Sequence, residues 1–110
     1  MTDKIVVLST CASLKEAQRI AYALVEKRLA ACVNVMAGVR SVYRWKEALE
    51  ESEEVLLVIK SSRELFERLR GEIERLHSYE LPEVIALPIV DGSETYLAWL
   101  DREVAEKREP

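Results

Sequence analysis

His77 is the only histidine in the sequence, and Cys11 and Cys32 are the only cysteines. Two cysteines make neither a disulfide framework nor a structural zinc site, and an iron–sulfur cluster needs four. Thr10-Cys11-Ala12-Ser13 does not carry the C-x-x-C spacing of a soft-metal chaperone. With one imidazole in the chain, a serine or cysteine hydrolase would need the fold itself to bring Cys11 and His77 together. Glycine is scarce as well, with three in the chain, and Ser9-Thr10-Cys11-Ala12 has neither the glycines nor the arginine of a phosphate-cradling loop. Positive charge is in deficit: 16 Lys and Arg against 20 Asp and Glu leave a net charge of −4. That balance argues against a nucleic-acid partner, which requires clustered cations. No apolar run approaches the ~20 residues of a membrane-spanning helix. Met1-Thr2-Asp3-Lys4 leads straight into a short apolar strand and not into a signal-peptide core. These absences predict a cytoplasmic protein with no membrane partner, no organic cofactor and no enzymatic activity. Side-chain amides are limited to Gln18 and Asn34 while 33% of residues are charged, the direction taken by heat-adapted proteins.

What is present is organised around Ala31 to Lys60. Cys32, Asn34 and Met36 alternate with Val33, Val35 and Ala37, the period of two that a strand requires. Gly38 interrupts the alternation and predicts a bulge or bend. Beyond it, Val39, Ser41, Tyr43 and Trp45 share one face, and Arg40, Val42 and Arg44 the other. Val55 to Ile59 form the return strand of a long hairpin. An outgoing strand from Cys32 to Trp45 would span about 46 Å at ~3.3 Å per residue, about twice the strand available from Lys4 to Thr10. The hairpin should therefore project beyond its own sheet. Its unpaired backbone groups then meet water or another chain. Glu50, Glu51, Glu53 and Glu54 are expected in a solvated turn, a metal-binding role being the alternative.

The rest of the chain supplies a conventional sandwich. Ile5-Val6-Val7-Leu8 reads as a central strand. Ser13-x-x-Glu16 is a capping box opening a helix that carries Ala17, Ile20, Ala21, Leu24 and Val25 and ends near Leu29. Ser61-x-x-Glu64 predicts a second capped helix with Leu65, Leu69, Ile73 and Leu76 as its apolar stripe. Arg63–Glu67, Glu64–Arg68 and Arg70–Glu74 are spaced for surface ion pairs. His77 falls in the last turn, where a cation suits the helix dipole. Val84 to Val90 is a strand, and Pro88 within it marks an edge, a bulge or an end. Ser93 caps a final helix bearing Leu97, Leu100 and Val104, and the tail from Ala105 to Pro110 is expected to be loose. The order predicts a single α+β domain over residues 1–110: a ferredoxin-like βαββαβ sandwich with a protruding hairpin and a C-terminal helix.

The central strands carry no aromatic residues for stacking RNA bases. The aromatics lie elsewhere: Tyr43 and Trp45 near the hairpin tip, Tyr79 after the second helix, Tyr96 and Trp99 on the last. Gathered at one end with Lys60, Glu80 and Glu83, they make either a subunit interface or a ligand cleft, and the two are compatible. Cys11 and His77 read either as structural residues or as joint metal ligands. Cys32, inside a strand, reads as core.

Four segments together carry a resemblance: VEKRLAACVNV from Val25, SVYRW from Ser41, EEVLLVIK from Glu53, and HSYELPEVIALPIVDGSETYLAWL from His77. In this combination the chain resembles the CutA family of divalent-cation tolerance proteins over nearly its whole length. The resemblance implies a ferredoxin-like protomer in a compact homotrimer, with the long hairpins extending sheets between subunits. It also implies binding of copper or another divalent cation and a role in metal tolerance. Trimers of this architecture are similar to PII-type signal proteins, which bind small ligands in clefts between subunits. The alternative function is therefore a regulator using a cleft near Tyr43, Trp45, Lys60, Tyr79, Glu80 and Glu83. Copper-binding members place a cysteine on the first strand and adjacent histidines before a Pro-Tyr pair. Here Ser9 stands at the strand position with Cys11 two residues on, Leu76 precedes His77, and Ser78 replaces the proline. The metal ligands implied are thus Cys11 and His77, with neighbouring chains supplying the rest.

Overall fold

The computed structural model describes residues 2–104. The elements run β1 (Lys4–Cys11), α1 (Leu14–Glu26), β2 (Cys32–Trp45), β3 (Ala48–Ser62), α2 (Phe66–Leu76), β4 (Ile85–Pro88) and α3 (Glu94–Glu103), with a 3-10 turn at Arg63–Leu65 leading into α2. The strands form one sheet in the order β2-β3-β1-β4, every neighbour antiparallel. This is the ferredoxin-like arrangement expected from the element order. The tail from Ala105 to Pro110 lies outside the described residues.

Alternation along the strands sets two faces. Ile5, Val7, Cys11, Val55, Leu57 and Ile59 point to one side and are buried against Ala17, Ile20, Leu24, Leu69 and Ile73 of the two helices. On the other side, Val6, Leu8, Leu56 and Val58 remain only half-buried at the centre of the sheet. Met36, Ile85 and Leu87 flank them, about half exposed. The helix α3 covers only one end of this second face. There the Lys4 ammonium, itself buried, reaches Asp101 at 2.7 Å and Ser62 at 3.0 Å. Burial opposes the Lys4 charge, but bonds to Asp101 and Asp3 outweigh it and hold its pKa above the ordinary lysine value.

The hairpin is long because β3 is long. Its 15 residues run from Ala48, so Glu50, Glu51, Glu53 and Glu54 lie in a strand and not in the expected turn. Cross-strand partners hold them: Arg40 stands opposite Glu53, Tyr43 opposite Glu50 and Val42 opposite Glu51. The turn is only Lys46-Glu47, both at positive φ (50° and 69°), the backbone that a two-residue hairpin demands. Gly38, at φ 85°, sits where β2 advances three residues (Met36 to Val39) while β3 advances two (Leu56 to Glu54). That one-residue bulge inverts the parity of β2. Before it the even residues share the uncovered face; after it Val39, Ser41, Tyr43 and Trp45 do.

Several local expectations are corrected. Ser13 caps α1, accepting from the Glu16 N–H at 3.1 Å, but the Glu16 carboxylate turns to Ser78 instead of back to the cap. Ser61 caps no helix: the register with Ile5 keeps it in β3, where its hydroxyl donates to the Leu29 carbonyl at 2.7 Å. Of the three surface pairs expected on α2, Arg70–Glu74 is formed, and Glu72 instead binds Arg75 and Lys27. The last strand is trimmed to Ile85–Pro88, with Pro88 both at its end and on the sheet edge. Cys32 is only half-buried and lies on the uncovered face, not in the core.

Candidate functional site

Beyond the C-terminal end of β1 the chain builds two adjoining features. The first is a polar node. α2 ends at Leu76, and His77 leaves it in extended conformation (φ −81°, ψ 145°), which carries its side chain under β1. The imidazole is fully buried, where a solvated helix-end residue was expected. Its Nδ1 accepts from the Tyr79 N–H at 3.1 Å, so Nε2 bears the proton and donates to the Thr10 carbonyl at 2.7 Å. The Glu16 carboxylate accepts from the Ser78 backbone at 2.6 Å and from its hydroxyl at 3.1 Å. Burial works against the Glu16 charge, yet the two bonds from Ser78 hold its pKa below the usual carboxylate value.

Cys11 is the last residue of β1, opposite Val55, and is fully buried; it is not on the strand–helix loop. Burial, with the carboxylates of Glu16 and Glu54 nearby, pushes its thiol pKa up to about 12. A copper ligand set needs a thiolate and a free imidazole nitrogen. Here the thiol is protonated and both imidazole nitrogens are engaged. Among the described residues no three His, Cys, Asp or Glu side chains are grouped to hold a metal ion. Within one chain, the donors implied by resemblance do not fit a copper site.

The second feature is a cleft of about 680 Å³ between the hairpin and the loop joining α2 to β4. Tyr43, Trp45, Tyr79, Glu80 and Glu83 line it, five of the six residues expected there. The bulge at Gly38 makes this possible, because it puts Tyr43 and Trp45 on the same face as Thr10 and Glu54. Lys60 is not part of it. It shares that face, but lies six residues from Glu54 along β3, roughly 20 Å at strand rise. Its ammonium instead donates to Asn34 Oδ1 and lies 3.8 Å from Cys32 Sγ. Tyr96 and Trp99 are also elsewhere: they pair with each other on α3, ring centroids 5.5 Å apart, at the Lys4 end of the sheet.

Sequence reasoning missed Glu54, the residue at the base of the cleft. It is 7% exposed, and its Oε2 accepts a 2.6 Å bond from the Tyr79 hydroxyl. Burial and the Glu54 carboxylate both raise the Tyr79 pKa well above that of an ordinary phenol. The signal was present in the alternation of Ser52, Glu54 and Leu56 with Val55 and Leu57, which continues the return strand toward the tip.

The sheet order, the projecting arm and the helix-bearing face define a ferredoxin-like α+β protein with an elongated β2–β3 hairpin. The chain belongs to the CutA1 divalent ion tolerance protein family, whose model matches residues 5–103. It is 47% identical over 95 residues to the divalent-cation tolerance protein CutA of Thermus thermophilus, covering 86% of this chain and 92% of that one. It is likewise 47% identical to human protein CutA over 88% of this chain, and spans about half of that longer relative, 54%. The solved structure of the divalent cation tolerance protein from Thermus thermophilus superposes with a TM-score of 0.91 at 44% identity, covering 93% of this chain and 99% of that one. Among the described residues no helix is long and apolar enough to cross a membrane.

Proposed function

We propose that the protein acts as a cytoplasmic homotrimer in the response to divalent metal ions and catalyses no reaction. The observation that carries the assembly is the uncovered sheet face. Val6, Leu8, Leu56 and Val58 sit half-buried on the two central strands with no layer over them among the described residues, rimmed by exposed Met36, Ile85 and Leu87. An apolar face of this kind marks a protein–protein contact. The outer edge of β2 offers backbone groups to a neighbour, since β2 ends the sheet. The names of the relatives supply divalent-cation tolerance, and the free thiols of Cys11 and Cys32 suit a reducing compartment. Copper held by Cys11 and His77 would require ligands from a neighbouring chain and release of His77 from Thr10.

A cell lacking the protein and grown in elevated copper tests the reading. The wild-type gene should restore growth, and Val58→Glu, which places a charge on the uncovered face, should not. Equal rescue by both would separate tolerance from assembly.

A further inference from the structure

The last helix is held differently from the first. Helix α1 buries Glu16, Ala17, Ile20 and Leu24 against the body of the protein. Among the described residues of α3 only Leu100 is buried, and Val104 follows it just past the helix end. These two sit on Ala31 and Leu65, with Trp99 beside them, in a cluster separate from the main core. The connection into α3 is plain. The Ile89 N–H donates to the Lys4 carbonyl at 2.9 Å, and Val90, Asp91 and Gly92 then run on outside any regular element. At its start the helix is capped by its own Ser93, which accepts from the Tyr96 N–H at 3.1 Å. At its end it is gripped by two cations from elsewhere in the chain. Lys4, buried in β1, holds Asp101 at 2.7 Å. Arg28 donates to the Glu103 carbonyl at 3.0 Å, and its guanidinium stands 3.7 Å from the Glu103 carboxylate. Both charges suit the negative end of the helix dipole.

Arg28 keeps its place against the preference of its own backbone. It follows Lys27, the C-cap of α1, at φ 59°, the left-handed position that a helix end usually gives to glycine. The Leu29 and Ala30 N–H groups then return to the Leu24 carbonyl at 2.9 and 3.2 Å, bonds in which the Arg28 side chain takes no part. Glycine would make this turn with less strain. What glycine lacks is the guanidinium on the end of α3.

We propose that α3 is a strap that opens as a unit ahead of the rest of the fold, with Arg28 and Lys4 as the clasp that closes it. Closed, it seals Ala31 and Leu65 at the root of the hairpin; open, it bares them together with the Lys4 ammonium. A helix of ten residues does not hold its shape alone in water. So α3 unfolds when it lifts, and its amides then exchange with solvent. The motion requires no metal ion and is independent of the function proposed above.

Hydrogen–deuterium exchange on the full chain, read peptide by peptide by mass spectrometry, tests the proposal. In the wild type, α3 should exchange about tenfold or more faster than β1 and β3. Arg28→Gly separates the clasp from the backbone. The strain at residue 28 is present whether α3 is open or closed, so relieving it should leave β1 and β3 as slow as before or slower. Loss of the guanidinium should speed α3 alone, by about three- to tenfold. Asp101→Asn, at an exposed position, should speed α3 several-fold and leave β1 and β3 unchanged. Wild-type α3 exchanging in step with β1 and β3 would overturn the proposal. So would an Arg28→Gly variant in which α3 exchanges no faster than in the wild type, or in which all three elements speed up alike.

Discussion

The Tyr79 hydroxyl donates to Glu54 Oε2 at 2.6 Å, joining the loop after α2 to a strand residue 25 positions earlier. This contact closes the floor of the cleft and ties the base of the hairpin to the body of the protein. Glu54 is 7% exposed, so the bond satisfies a carboxylate with little access to water.

Tyr79→Phe removes the donor and keeps the ring. A bond to a charged acceptor contributes about 2 kcal/mol net, and the variant should lose roughly that much. Chemical unfolding at fixed protein concentration measures it. Tyr79→Phe combined with Glu54→Gln should lose less than the sum of the two single changes, because the second removes the unpaired charge.

Two buried serines should behave in opposite ways. Ser61 donates to the Leu29 carbonyl at 2.7 Å, whereas Ser9 Oγ, fully buried, has no hydrogen-bond partner. Ser61→Ala should cost about 1–2 kcal/mol, and Ser9→Ala should be neutral or stabilising by up to about 1 kcal/mol. Thermal unfolding of the two variants beside the wild type decides this.

Such pairs show what the sequence could and could not reveal. The outgoing strand was readable because Cys32 to Trp45 alternates and Gly38 marks the bulge. The tip half of β3 was not, because glutamates have low strand preference and gain their place only from cross-strand partners such as Arg40 and Tyr43. Ser61-x-x-Glu64 has the spacing of a capping box, but pairing with Ile5 outweighs it. The cleft aromatics were legible from their positions at the hairpin tip and after α2. Glu54 was hidden within an acidic run, and Lys60 was misplaced because a shared face does not ensure proximity along a long strand. His77 gave its helix end but not its burial, which depends on the turn that carries it under Thr10.

Acid should weaken the fold through Glu16 and Glu72. Glu72 is held at about 2 by hydrogen bonds to Arg75 and then Lys27, and Glu16 is held below the ordinary carboxylate value by its bonds from Ser78. Both release their protons more readily folded than unfolded, so their stabilisation is complete above about pH 5 and is lost as pH falls through the folded values. The unfolding midpoint should be flat above about pH 5 and decline toward pH 2, with a shallower decline in Glu72→Gln.

The Cys11 thiol should be inert in the native protein, being fully buried with a pKa of about 12. In a Cys32→Ser variant, a thiol-specific chromogenic reagent at neutral pH should find no reactive group until denaturant is added, then one per chain. Rapid native labelling would return Cys11 to the list of available metal ligands.

The central claim is that the uncovered sheet face, with Val58 and Leu8 at its middle, is covered by other copies of the chain. Light scattering after size-exclusion chromatography at micromolar concentration measures this most directly. The predicted mass is three times the 12.6 kDa of one chain, falling in Val58→Glu. A wild-type mass of 12.6 kDa would contradict the account.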